Sequence, residues 1–448
     1  MAAIRRAGVA HKTSQARPRR LALDLFCGAG GLSEGVRQAG FHTVAANDSD
    51  LWAGATYSAN HQAHGTAFIP GDIGDAAVQE HLLSIARGQE IDLLAGGPPC
   101  QAFSQVRNHD RLINDPRNTL YRHYVAMLRA VMPRTFCMEN VVGLDNLAGG
   151  EAKRQIIADL ALEGSYRVGC RVLDAASFGV PQSRPRVVFI GVRADLSAEP
   201  VFPQGTTAPQ LERARSLDGW TYGHSEDLLV ETNEAFRALQ DPEDTTLTTV
   251  EQAISDLAFL QPAAQLLRKP SDKTVDYELP PSSAYQRARR VGSAALYNAD
   301  VPSIREDTVA RLMAIPQGGN FRDIPEKLNG RYLSAKRWGP DIGREILSRK
   351  HFSAYRRLYA GHVSWTLNTK ADCVYHYAAP RALSVREFAR LHSFDDTYLF
   401  LHGDRHSRYR QVGNAVPPLL ARAVAEALEP VLAAHDATQA AASYKIAV

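Results

Sequence analysis

DLFCGAGGLSEG, residues Asp24 to Gly35, joins two patterns within a few positions. The run LALDLF, Leu21 to Phe26, is short and apolar, as a buried strand is, and LSEGVRQAG beyond the glycines has helical spacing. Gly28, Gly30 and Gly31 lie between them, so backbone can approach a ligand closely at a helix N-terminus. A nucleotide-type cofactor suits this arrangement; a tight strand–helix turn with no ligand is the alternative. The glycines fall as G-x-G-G and not as G-x-G-x-x-G, which disfavours a dinucleotide and with it an NAD-dependent oxidoreductase.

The pattern repeats outward from this stretch. HTVAAND reads as a second strand, GTAFIPGDI as a third, IDLLAGGPP as a fourth, TFCMENV as a fifth and RPRVVFIGVR as a later one. Short strands separated by helical stretches predict an α/β fold, a parallel sheet covered by helices. Ligands in such sheets sit beyond the carboxyl ends of the strands. Asp48 closes the second strand, where a carboxylate can accept from ribose hydroxyls, and Asp72 closes the third, within reach of an adenine amino group.

Composition narrows the class. The chain has 448 residues, is 45% hydrophobic and has a formal net charge of +3. No apolar run approaches the roughly 18 to 20 residues that span a bilayer. The first twenty residues carry six Lys/Arg and no acid, which suits a disordered tail on an anionic partner or an organellar transit peptide. Charge is unevenly spread: Val201 to Leu260 has 3 basic against 11 acidic residues, and Gln261 to Lys370 has 19 against 10. A basic segment of that length is the footprint of a polyanion, nucleic acid first, or else a solvated basic face.

Five cysteines (Cys27, Cys100, Cys137, Cys170 and Cys373) stand far apart with no C-x-x-C pair. Reduced thiols in a cytoplasmic setting follow, with no structural zinc site and no other metal site expected. Cys100, in LLAGGPPCQAFSQ, is then either inert packing or a nucleophile. Its place on a ligand-side loop, held by glycines and prolines, favours the nucleophile. Glu139 in MENV reaches the same sheet edge, where a partly desolvated acid can hold a proton; capping of the next helix is the alternative. Arg184 and Arg186 in VPQSRPRVVFIG alternate, so both guanidiniums should share one face and bind carboxylate or phosphate in forks. RQVGNAVPPLLA reads as a Gly-Asn turn opening a strong helix.

From Phe202 to about Thr369 prolines, charges and loop signals such as PQGGN, ELPPSS and NGRYLSAKRWGP dominate, which predicts a second, loop-rich domain. SVREFARLHSF and PPLLARAVAEALEPVLAA then read as helices. The expected divisions are 1–20 a basic disordered tail, 21–200 a catalytic domain, 201–370 the second domain, 371–435 a return segment and 436–448 a mobile tail.

In this order the blocks resemble the DNA cytosine-5 methyltransferase family, of the bacterial restriction-modification type. DLFCGAGGLSEG is similar to its first signature, GGPPCQAFSQ to its catalytic loop, ENV to its acid block and QSRPRVVFIG to its arginine block. RALSVREFARLHSF and QVGNAVPPLLARAVAEAL resemble its closing blocks, while TVEQAISDL and MAIPQGGNFRDIPEKL resemble spacers of bacterial members. The likeness spans Leu21 to Arg193 and Arg381 to Leu428, roughly half of the chain. It implies a doubly wound, Rossmann-like S-adenosylmethionine-dependent methyltransferase sheet with a target-recognition domain over 201–370.

The resemblance also implies roles. Cys100 would add to carbon 6 of a cytosine flipped out of double-stranded DNA, and Glu139 would hold or protonate ring nitrogen 3. Arg184, with Arg186, would orient the base and Glu139, and Asn140 would fix the pocket. Gln101 to about Arg117 would be a lid. Phe26, Gly28, Gly30, Asp48, Asp72, Ile73 and Asn414 would bind S-adenosylmethionine. Ser49 stands where many members have a large apolar residue against adenine, which leaves Leu51 or Trp52 to supply it. Double-stranded DNA as partner, a cognate restriction endonuclease acting on the same site, a monomeric enzyme, the bacterial cytoplasm and no membrane complete the expectation. A tRNA-modifying relative of the same family, or a non-catalytic DNA-binding module on the same fold, are the alternatives. The long segment before RALSVREF favours DNA, and the presence of Cys100, Glu139 and Arg184 favours an enzyme.

Overall fold

Alternation along β1 (Leu21–Leu25) sets the layers of the molecule. Leu23 and Leu25 face the helices Ala76–Ala86, Thr119–Val131 and Glu151–Leu160, where Leu82, Tyr124, Leu128 and Ile156 complete one core. Ala22 faces the other way, towards Val36 of α1 (Gly31–Gln38) and Leu420, Val424 and Leu428 of the closing helix, Pro418–Ala447. Each fully buried leucine in these cores contributes about 2 kcal/mol. The structure is a computed structural model and describes residues 19–99, 119–142, 151–205, 247–262, 273–328, 355–401, 403 and 405–447.

The sheet has seven strands in the order β3-β2-β1-β4-β5-β7-β6, with β2 at His42–Asp48, β3 at Ala67–Pro70, β4 at Leu93–Gly96, β5 at Thr135–Val141, β6 at Tyr166–Asp174 and β7 at Pro185–Arg193. The first five strands are parallel. The chain runs outward from β1 to β2 and β3, then crosses back to β4 on the other side of β1. That reversal opens a crevice beyond the carboxyl ends of β1 and β4, where doubly wound sheets take their ligands.

Two expectations about the sheet need correction. β7 runs antiparallel to both its neighbours, so the sheet is mixed. Its hairpin partner β6 was not anticipated. β6 is an edge strand carrying Arg167 and Arg171, and charge on an edge masks the apolar signature of a strand while protecting it from pairing.

Segments beyond residue 200 also pack on the catalytic core. Val250, Ala253 and Ile254, on a helix begun by a Thr249–Gln252 capping box, share a core with Ala29, Leu358, Leu367, Phe388, Tyr398 and Tyr409. Phe202 packs on the sheet with Val188 and Ile190. Other described parts of 201–370 pack among themselves, Leu257, Leu260, Leu296, Ala299 and Val301 forming a small core of their own, so the region both closes the catalytic core and carries a separate cluster. Part of the basic surplus there is consumed internally. Arg290 pairs with Asp256 at 2.6 Å, Arg289 with Asp395 at 3.0 Å, and Arg357 donates to the carbonyls of Tyr377, Leu312 and Ile315.

Both termini are tighter than expected. Arg20, assigned to the leading tail, is buried and pairs with Asp92, Glu429 and Asp436. The segment 436–447, expected to be mobile, continues the helix Pro418–Ala447, and Asp436 also meets Arg134 at 2.6 Å. Alanine richness, the strongest intrinsic helix propensity, explains the continuation. No described helix is long and apolar enough to cross a membrane.

Candidate active site

β1 ends in a strained turn. Phe26 has φ 57, a left-handed conformation that costs a bulky residue energy, and Gly28 follows at φ 53. The amide of Gly28 donates to Asp48 Oδ2 and that of Asp50 to Asp48 Oδ1, both at 2.8 Å. Asp48 thus ties the loop after β1 to the loop after β2. Burial raises its pKa, and the amides of Asp50 and Gly28 oppose that rise.

The glycines behind this turn serve packing. A Cβ on Gly30, whose φ is 94, would lie 2.6 Å from the Tyr398 hydroxyl and 2.7 Å from His61 Nε2. One on Gly31 would collide with the Val416 carbonyl. Tyr398 donates to the Ala29 carbonyl at 2.5 Å and lies 3.0 Å from His61 Nε2. The tyrosine proton being committed, the network assigns a proton to His61 Nε2. Burial drives the His61 pKa down to about 4, so the ring is neutral at pH 7. Below the loop Ser33 donates to Asp24 Oδ2 at 2.6 Å, and burial pushes Asp24 up to about 7 against that bond.

The other end of the crevice is built by β4, β5 and β7. A Cβ on Gly97 would stand 3.1 Å from Glu139 Oε2, so glycine lets the loop after β4 lie over that carboxylate. Asn140 Nδ2 donates to the Pro98 carbonyl at 3.0 Å and fixes the same loop. Glu139 pairs with Val188 across the antiparallel ladder, which places Arg186 two residues away on the same face. Their ion pair, Arg186 Nε to Glu139 Oε1, measures 2.7 Å.

Arg184 behaves differently. Its amide and Ser183 Oγ donate to Asp174, and its buried guanidinium donates to the carbonyls of Leu367 at 3.0 Å, Gly413 at 2.7 Å and Ala415 at 3.2 Å. Burial depresses its pKa, and neighbouring Arg186 adds to the effect. The expected shared role therefore divides: Arg186 contacts Glu139, whereas Arg184 holds the return segment. The reason is position, because Arg186 lies within β7 and Arg184 precedes it.

One cavity of about 620 Å³ joins the two ends. Phe26, Gly28, Asp48, Asp72, Ile73 and Asn414 line it, as do Pro99, Glu139, Asn140, Arg184 and Arg186. Gly30 stands behind the turn and does not line it. Asp72 lies two residues past β3, exposed, accepting from the Gly74 amide at 2.8 Å. Asn414 ends the helix Arg405–Asn414, so the expected Gly-Asn turn is a helix terminus. Leu51 and Trp52, 67% and 51% exposed, do not line the cavity. Cys100, the segment Gln101 to Arg117 expected as a lid and the stretch NGRYLSAKRWG lie outside the described residues; Pro99 is the last described residue before Cys100. Sequence reading missed Asp174, although an acid at a strand end was a usable signal. It also missed Tyr398, whose contact with Ala29 spans 369 residues and has no local sign.

Residues 21–430 match the family described as C-5 cytosine-specific DNA methylase. The chain belongs to that family. The type II methyltransferase M.DdeI of Desulfomicrobium norvegicum is 32% identical over 416 residues, 90% of this chain and 87% of that protein. M.AgeI of Thalassovita gelatinovora is 32% identical over 447 residues, 91% and 98% of the two chains. In fold the methylase resembles a crystal structure described as a prophage-encoded DNA modification methyltransferase (E. coli), with TM-score 0.62 at 21% identity, covering 92% of this chain and 99% of that one.

The methylase is a DNA (cytosine-5-)-methyltransferase, and S-adenosylmethionine is its methyl donor. The residues present fit that cofactor. The cavity volume suits a nucleoside-sized ligand. Phe26 and Ile73 offer apolar surface, and Asp48 and Asp72 offer acceptors at its far end.

Proposed function

We propose that this methylase modifies one cytosine within a specific double-stranded DNA sequence through a covalent adduct, and that Cys100 is the attacking atom. The observation that carries this reading is the Glu139–Arg186 pair on the wall of the cavity that Pro99 also lines. Cys100 follows Pro99 directly in the sequence, and the residues just before it are held in place: Asn140 donates to the Pro98 carbonyl, and Gly97 lies against Glu139.

The chemistry follows from these groups. The Cys100 thiolate forms a bond to carbon 6 of a flipped-out cytosine, and the electron pair displaced from the 5,6 double bond is spread towards ring nitrogen 3. Glu139 holds a proton there, so no uncompensated anion develops. Arg186 sets the orientation of Glu139, and Asn140 keeps the loop in register. The cofactor supplies an electrophilic methyl group to the carbon 5 that addition has made nucleophilic. Loss of the carbon 5 proton to base then restores the double bond and expels the Cys100 thiolate. Phe26, Gly28, Asp48, Asp72, Ile73 and Asn414 hold the cofactor, with Gly30 shaping the turn from behind. Arg184 acts by anchoring Gly413 and Ala415, and with them Asn414.

The region 201–370 holds the target-recognition residues, its basic half meeting phosphates and setting salt dependence. The enzyme acts as a monomer on DNA in the cytoplasm, within a restriction-modification system whose endonuclease cuts the same site; the type II names of its relatives support that setting. DNA carrying 5-fluorocytosine at the target should trap a stable protein–DNA adduct, because fluorine blocks the final elimination. The adduct should vanish in Cys100→Ser, which should still bind cofactor. An adduct that survives this substitution would remove Cys100 from its role.

A further inference from the structure

The helix Arg405–Asn414, RHSRYRQVGN, contains no acidic residue and is buried over most of its surface. Residues 407–409 and 411–413 are buried, whereas His406, Arg410 and Asn414 are exposed. A spacing of four puts these three on one face, as a row about 12 Å long. The row has a fixed mount. Tyr409 donates to the Leu383 carbonyl at 2.6 Å, Gln411 Oε1 accepts from Thr56 at 2.7 Å, and a Cβ on Gly413 would stand 2.2 Å from the Asn368 carbonyl oxygen.

The row runs into the active-site cavity, which Arg410 and Asn414 both line. Three arginines line that cavity, and two are engaged: Arg184 with three backbone carbonyls, Arg186 with Glu139. Arg410 has no hydrogen bond or ion pair among the described residues. It is an uncommitted cation at the mouth. Charge selects its partner. S-adenosylmethionine carries a sulfonium and an ammonium against one carboxylate, so as a net cation it is drawn to Asp48, Asp50 and Asp72 at the other end. A nucleotide swung in towards Glu139 leaves its phosphates outside, at the rim. The exposed charged side chains lining the cavity there are Asp72, which repels a phosphate, and Arg410, which attracts one.

We propose that the row His406–Arg410–Asn414 carries the backbone of the DNA strand that holds the target cytosine, and that Arg410 grips a phosphate beside the flipped nucleotide. The assignment rests on the reading that the base is flipped towards Glu139. Arg410 is a binding residue: it sets affinity and salt dependence and reads no sequence. His406, one turn further from the cavity, continues the row outward.

The test measures binding of the full-length methylase to a duplex holding its site, mapped beforehand by bisulfite sequencing of DNA from cells that express the enzyme. Arg410→Ala, at an exposed helical position that alanine suits, should weaken DNA binding about tenfold (1.4 kcal/mol). It should also reduce the slope of log affinity against log salt by about 0.9. Arg410→Lys keeps the charge and should restore that slope. Calorimetric affinity for S-adenosylmethionine should match the parent in both variants. A neutral methylphosphonate in place of the phosphate on the 5′ or the 3′ side of the target cytosine then locates the contact. At one of the two positions it should cost the parent the same tenfold and cost Arg410→Ala nothing further. Equal losses in both proteins at both positions would overturn the contact. So would an Arg410→Ala variant that loses cofactor affinity and keeps DNA affinity, because a carboxylate would then be the partner. Binding is read without chemistry, so a missing Cys100 adduct would count against the covalent mechanism and leave this result standing.

Discussion

The two ends of the active-site cavity come from different halves of the sheet and are held by different means. At the cofactor end the strands are parallel, and the functional groups fall beyond their ends, in loops: Phe26 to Gly30 after β1, Asp48 at the close of β2, Asp72 after β3. These loops are clamped from afar, by Tyr398 on the Ala29 carbonyl and by the Val416 carbonyl against Gly31. At the base end Glu139 and Asn140 lie within β5, and Arg186 lies near the start of β7. Because β7 is antiparallel, its beginning sits at the carboxyl edge of the sheet. The ladder itself holds the Glu139–Arg186 pair in register. One end is rigid by strand pairing and the other by tertiary clamps, so damage to each should have a different signature.

The sharpest separation should come from the ladder pair. Glu139→Gln and Arg186→Met should each cut single-turnover methylation by about 10²–10³-fold, the scale of one lost transition-state contact. Calorimetry should find S-adenosylmethionine affinity unchanged. An equal loss in affinity and turnover would erase the distinction between the two ends.

Arg184→Met tests the link between them. It removes the guanidinium from the carbonyls of Leu367, Gly413 and Ala415, of which Ala415 keeps His392 Nε2 at 2.8 Å, so urea unfolding should register a loss of about 3 kcal/mol. Cofactor affinity and turnover should fall together, because Asn414 lies between two of those carbonyls.

Asp24 supplies a pH-dependent contrast. Its folded pKa of about 7 lies above the ordinary carboxyl value of 3.8, so the folded state favours the protonated form. The resulting stability is fully present below about pH 4 and is lost as pH rises through about 7. Asp24→Asn should remove this slope and unfold a few degrees higher than the parent at pH 8. Thermal scans that keep the same slope in the variant would place the titration elsewhere.

The smallest effect is expected at the clamp. Tyr398→Phe removes one neutral donor, worth about 1 kcal/mol, and should raise the KM for S-adenosylmethionine about fivefold with kcat unchanged. A fall in kcat alone would mean that the clamp reaches the base end.

Legibility in the sequence followed burial. β1, β2, β4 and β5 are covered on both faces and read as apolar runs, so the cofactor loop and the Cys100 loop could be placed at strand ends. β6 was lost because an edge strand can carry Arg167 and Arg171. Period-two spacing put Arg184 and Arg186 on one cavity, as they are, but spacing says nothing about partners. Arg184 finds carbonyls more than 180 residues away. Loop-like composition likewise does not reveal that Val250 and Ile254 share a core with Ala29.

The packing of Gly31 and Gly35 against the carbonyls of Val416 and Pro418 has a consequence in time. A ribosome adding about 5–20 residues per second needs roughly 20–80 s to pass from the first pair to the second. For most of that interval the nascent chain has the glycines of its turn but neither the helix that α1 packs on nor Tyr398, which holds the loop. A chain released early, without the last segment, would lack a closed methyl-donor site, so only finished molecules would mark DNA.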